Sequence, residues 1–98
     1  MAEPLDLIYA PLALQDFLAI GAYLEDEAGS SVAMRVIEQI KAHCETFRTF
    51  PHRNPAIEYA GEPMHVGLSG MYRIFYVVAD QLEIARIVHQ SRDLSSPH

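Results

Sequence analysis

The order of patterned segments predicts an α+β fold: an N-terminal strand, an α-helical hairpin, then a three-stranded antiparallel meander, with the hairpin packed on one face of the sheet. Three observations carry this reading. Two stretches in the first half repeat apolar residues at three- and four-residue spacing, three runs in the second half alternate at period two, and glycine, proline and acidic turns separate them. With 98 residues, the chain has room for a single domain spanning 1–98 and one core.

The stretch "LDLIYA" alternates weakly and runs into Pro11, whose missing N–H is harmless in the first turn of a helix; a short strand therefore precedes a helix. In "PLALQDFLAIGAYLEDEA", residues 11–28, Leu14, Phe17, Leu18, Gly21 and Leu24 follow the helical spacing, and Ala13, Ile20 and Tyr23 widen the stripe. This helix is expected to be buried over much of its circumference. Gly29 ends it, and Ser30 or Ser31 is placed to cap the next helix through its side-chain oxygen. The second helix carries Ala33, Val36, Ile37, Ile40, Cys44 and Phe47 on its inner side and Glu38, Lys41, Glu45 and Arg48 on its outer side. "FPHRNP" stops it, because Pro51 and Pro55 cannot continue the hydrogen-bond ladder. A loop is expected through "EYAGEP". "MHVGLS", "MYRIFYVV" and "LEIARIVH" then read as strands joined at "SG" and "ADQ", the last two as a hairpin.

Alternation places Tyr72, Ile74, Tyr76 and Val78 on one side of the third run and Met71, Arg73, Phe75 and Val77 on the other. The helical hairpin covers only one of these sides. The second, apolar around a single arginine, has the character of a protein interface. The competing expectation is that the C-terminal tail and the loop at 52–63 fold over it.

Thirteen acidic residues against seven basic ones give a formal net charge of −6, with Lys41 the one lysine, so broad binding to a phosphate backbone is disfavoured and no direct nucleic-acid contact is expected. Without an apolar run long enough for a membrane span, or a basic start ahead of an apolar core, the sequence reads as that of a cytoplasmic protein with no membrane partner. The single cysteine fits a reducing compartment. Its place in an apolar helical stripe marks it as an inert buried thiol. His43, His52, His65, His89 and His98 form no close pair at metal-ligand spacing, so neither a metal site nor a cofactor is expected. His89 suits a structural hydrogen bond near a strand end, on a face shared with Glu83, Ala85 and Ile87. Arg86, on the opposite face with Ile84 and Val88, suits a structural ion pair.

The span from "IYAPLALQDFLAIGAYL" through "TFPHRNP" to "YRIFYVVADQLEIARIVHQSRD" resembles the ParE branch of the RelE/ParE toxin superfamily, the toxic halves of bacterial type II toxin–antitoxin pairs. The "YRIFY" strand, an acidic turn, the "I-x-R-I-V-H" strand and the terminal "RD" carry the resemblance by their order and spacing. It implies a cognate ParD-like antitoxin whose flexible segment wraps the toxin. It also implies DNA gyrase as the target in ParE-like members, and messenger RNA on the ribosome, cut without metal through the 2′-hydroxyl, in RelE-like members. Under the RelE-like alternative, Arg73 matches a phosphate-binding arginine, His89 is the candidate base and Arg92 a second cation. Against that branch, the segment 52–68 offers only Arg53 where ribosome-dependent relatives are rich in basic residues, and no tyrosine follows Tyr76. The expectation is therefore a non-enzymatic ParE-like inhibitor. Met71, Arg73, Phe75 and Val77 are its candidate antitoxin contacts and His89, Arg92 and Asp93 its candidate target contacts. A ParE-fold binding protein without toxicity is the third possibility.

Overall fold

A computed structural model describes residues 3–91. Seven elements follow one another: β1 (Leu7–Tyr9), α1 (Pro11–Ala28), α2 (Ser30–Thr46), β2 (Ala56–Tyr59), β3 (Glu62–Ser69), β4 (Tyr72–Val78) and β5 (Leu82–His89). The strands form one sheet in the order β1-β5-β4-β3-β2, antiparallel throughout except for the parallel β1–β5 pair. The helical hairpin lies on one face, as expected.

The sheet is one strand wider than the sequence reading allowed. Residues 56–59, expected within a loop, pair with β3 in the register Ile57↔Met64 and Tyr59↔Glu62. Their turn is Ala60–Gly61, with φ of 53° and 84°. Positive φ at both central residues is the hairpin geometry that matches strand twist, but alanine rarely adopts it, so "YAGE" does not announce a turn. The β3–β4 turn uses Gly70 at φ 57°, as "SG" predicted.

Gly29, rather than a serine, manages the junction of the helices. At φ 94° its N–H donates to the Leu24 and Glu25 carbonyls, and its own carbonyl accepts from Ala33 N–H. Ser30 does not cap α2; its Oγ donates instead to Glu25 Oε1 at 3.4 Å. A glycine in a left-handed conformation closes one helix and opens the next without leaving room for a separate capping residue.

The buried stripe of α1 is narrower than its composition suggests. Ala13 and Phe17 are buried and Ile20 and Leu24 half-buried, whereas Leu14 is 51% and Leu18 75% exposed. α1 packs mainly against α2 and β5, with Phe17 edge-on to Tyr9 of β1, and the side of the helix that carries Leu14 and Leu18 is left uncovered. In α2, Ala33, Ile40 and Cys44 are buried as expected, and Phe47 just beyond it inserts toward the sheet. Its ring stacks on Tyr76 at 4.5 Å and occupies the space where a side chain at Gly67 would stand. Gly67 is thus the seat of the helix end on β3. Tyr76 then donates its hydroxyl to Pro51 O at 2.9 Å and accepts from Asn54 Nδ2, which fixes the loop after α2.

Two apolar clusters result. The first joins Phe17, Ile40, Phe47, Ile74, Tyr76 and Ile84 between helices and sheet. The second, on the opposite face, joins Tyr59, Met64, Phe75 and Val88. Phe75 is fully buried, with Tyr59 stacked over it at 4.2 Å. This overturns the expectation that Phe75 faces solvent. Within the segment 52–63, Tyr59 of β2 covers Phe75, while Met71 on the same face stays 56% exposed.

Candidate partner-binding surfaces

The β4–β5 hairpin, which holds most of the candidate residues, contains an irregularity that sorts them. Phe75 opposes Arg86 and Tyr76 opposes Ile84, so Ala85 has no partner and the strand bulges. Ile84 and Ile87 both join the helix-side cluster, while Ala85 and Val88 join the far one. Strict alternation had placed His89 with Ala85 and Glu83; the bulge shifts it to the helix side, opposite Tyr72, with ring centres 5.2 Å apart.

Asp16 of α1 holds the bulge. Arg86 donates to it from Nε at 2.8 Å and from a terminal nitrogen at 3.0 Å, and the Ile87 backbone N–H donates to Asp16 Oδ2 at 2.8 Å. Bidentate contact with the carboxylate is the first cause that raises the Arg86 pKa, so this cation is permanent. The expected ion pair of Arg86 is present. Its partner escaped the sequence reading because Asp16 lies 70 residues away on a helix face read as apolar.

Arg73 and His89 are not brought together. Arg73 opposes Val88 on the far side and only approaches Gln90 O, at 3.5 Å, whereas His89 faces the helices. The Ser91 N–H donates to His89 Nδ1 at 3.1 Å, so this nitrogen already serves as an acceptor. His89 has the structural hydrogen bond expected of it. It also lines a cleft of about 430 Å³ with Asp16, Ile20, Tyr23 and Tyr72. Arg92 and Asp93 lie outside the described residues. On the far face, Met71 is 56% and Leu68 59% exposed, Arg73 and Val77 are half-buried, and Phe75 is closed off.

A second surface was missed. Tyr9, Leu14, Phe17, Leu18 and Ile37 line an apolar groove of about 490 Å³ along the helical hairpin, with Lys41 at its edge. Lys41 Nζ stands 5.7 Å from the centre of the Phe17 ring. Met34 adds exposed apolar surface on α2. The signal was legible as an excess of apolar residues: α1 has more of them than one buried stripe accommodates.

Cys44 is fully buried, and burial, the largest cause, pushes its thiol up to about 12. Tyr9 is raised as well, first by burial and then by its neighbour Cys44. Among the described residues no group of three or more His, Cys, Asp or Glu side chains stands together. No helix among them is long and apolar enough to cross a membrane.

Comparison with known proteins agrees with this architecture. The family described as the ParE toxin of the type II toxin–antitoxin system parDE matches residues 7–94. No curated protein matches the chain. A solved structure described as the chromosomal ParDE TA system from P. aeruginosa shares the fold, with a TM-score of 0.76 at 15% identity over 90% of this chain and 98% of that one. From the N-terminal strand to the end of the described sheet, the matched span takes in every element of the fold, and the chain belongs to the ParE toxin family of type II toxin–antitoxin systems.

Proposed function

We propose that this toxin acts as a non-enzymatic inhibitor of DNA gyrase and is silenced by a ParD-like antitoxin laid along the helical hairpin. The observation that carries the antitoxin half is the uncovered apolar groove at Leu14, Leu18 and Ile37. An amphipathic segment would bury that apolar surface and gain its hydrophobic transfer free energy. Exposed Leu68 and Met71, beside Arg73, offer a second contact on the far face for a segment long enough to wrap.

The non-enzymatic half is supported by the separation of Arg73 from His89. Cleavage through a 2′-hydroxyl needs a base and a phosphate-binding cation converging on one scissile group, and these two side chains lie on opposite faces of one hairpin. The acidic net charge of −6 argues that any effect on DNA topology passes through a protein. His89 and the segment that follows it are the proposed target contact.

Supercoiling by purified gyrase tests the target, with and without a cognate ParD-like antitoxin. Inhibition by the chain, relieved by antitoxin, is expected. Normal supercoiling at micromolar toxin, in the face of growth arrest by the same chain in cells, would overturn the gyrase assignment. For the antitoxin surface, Leu18→Glu is expected to weaken binding at least about tenfold while leaving the fold intact, since Leu18 is 75% exposed.

A further inference from the structure

The fold brings together two histidines that sequence spacing kept apart. His52 stands in the loop after α2 and His65 in β3, thirteen positions later, with ring centres 5.4 Å apart and planes inclined at 66°. Two imidazoles bound through bonds of about 2.0–2.1 Å to one tetrahedral ion hold their ring centres roughly 5 Å apart. The observed spacing is close to that.

His65 is prepared on the side away from a ligand. Its Nδ1 lies 2.6 Å from Asn54 O, and a carbonyl only accepts, so Nδ1 carries a proton, and in the neutral ring Nε2 keeps its lone pair. Its ring is further held by stacking on Tyr76 at 5.2 Å and 18°. A second imidazole nitrogen donating to a backbone carbonyl is the usual support of a metal-ligating histidine, because it fixes the tautomer and raises the basicity of the ligating nitrogen. His52 is exposed and makes no hydrogen bond among the described residues, so its ring is free to complete the pair.

We propose that His52 and His65 form a two-imidazole site for a borderline divalent ion, zinc being the best fit, that ties the loop after α2 to the sheet. Imidazole suits zinc, copper, nickel and cobalt, and two such ligands leave the remaining positions to water or to a group from a partner. The site exists only in the folded chain, so the ion stabilises the fold by mass action. Protons compete for both nitrogens, and binding weakens as pH falls.

The test uses the full chain without an affinity tag, with Zn²⁺ for affinity and stability and paramagnetic Co²⁺ to locate the site by NMR. Co²⁺ should shift or broaden the ring protons of His52 and His65 and leave those of His43 and His89 sharp. His52→Ala, at an exposed position, should lower Zn²⁺ affinity about tenfold or more and abolish the rise in Tm with Zn²⁺. His65→Phe, which keeps a ring stacked on Tyr76, should do the same, and His43→Ala should change neither. Zn²⁺ affinity within twofold of the wild type in His52→Ala, broadening spread equally over all histidines, or no binding by the wild-type chain would each overturn the site.

Discussion

The two faces of the sheet bury their apolar clusters by different means. On one, helices of 18 and 17 residues spread burial over many side chains, and Phe47, Tyr76 and Gly67 lock the end of α2 onto the strands. On the other, a strand of 4 residues at the sheet edge supplies the one aromatic that stacks over Phe75. Phe75 is as fully buried as anything beneath the helices. A central aromatic can be fully buried without a second layer of helices when a neighbouring strand leans a large ring across it. Such burial depends on fewer residues.

That contrast can be broken from either side. The largest effect is expected at Asp16→Ala, which strands Arg86 and the Ile87 N–H in a setting where the two charged side chains are only 15–19% exposed. Removing one partner of a fully buried ion pair costs about 3–5 kcal/mol, and for this part-buried pair chemical denaturation should read a loss toward the lower end of that range. The double variant Asp16→Ala with Arg86→Met should recover part of it, because the uncompensated charge is gone. A loss below about 1 kcal/mol for the single change would place the pair among ordinary surface bridges.

Tyr59→Ala comes next, at about 3 kcal/mol, since truncating a large core aromatic leaves a cavity over Phe75. If the far face depends on this ring, the variant should also bind a hydrophobic dye, whereas Tyr59→Phe should behave as the wild type. On the helix side, Gly67→Ala should cost roughly 1–3 kcal/mol by pushing Phe47 out of its seat. Combining it with Phe47→Leu should lessen the penalty if that contact is the cause.

The smallest effect is one of pH. In the unfolded chain the Cys44 thiol ionises near its ordinary value of 9.0, and in the folded chain burial pushes it up to about 12. Between those values the folded state binds more protons, so stability is complete below pH 9 and falls as pH rises toward 12. The raised Tyr9 and Tyr76 hydroxyls act in the same direction. The unfolding free energy from denaturant titrations should fall by roughly 1 kcal/mol from pH 9 to pH 10, and Cys44→Ser should flatten the profile. The same burial predicts that Cys44 resists thiol reagents until the chain unfolds.

The sequence by itself determined the parts that depend on local periodicity and on turn chemistry. α1 and β5 begin and end where the apolar pattern and Pro11, Gly29 and the acidic turn place them, and the order of elements followed from those boundaries. The family was legible too, because it resides in the order and spacing of such segments. Tertiary structure decided what depends on distant partners. Whether Leu14 and Leu18 are core or groove is settled by which sides of α1 have neighbours, and a helical repeat alone does not say how wide the buried stripe is. Whether residues 56–59 are loop or strand was settled by β3, since a short edge strand takes its stability from the ladder it joins. The bulge at Ala85 reverses the face of every residue counted across it, and Asp16, 70 residues from Arg86, holds that bulge in place; His52 and His65 meet only in the folded chain. Strand alternation is a local rule, and a single unpaired residue held by a distant carboxylate is enough to change its phase.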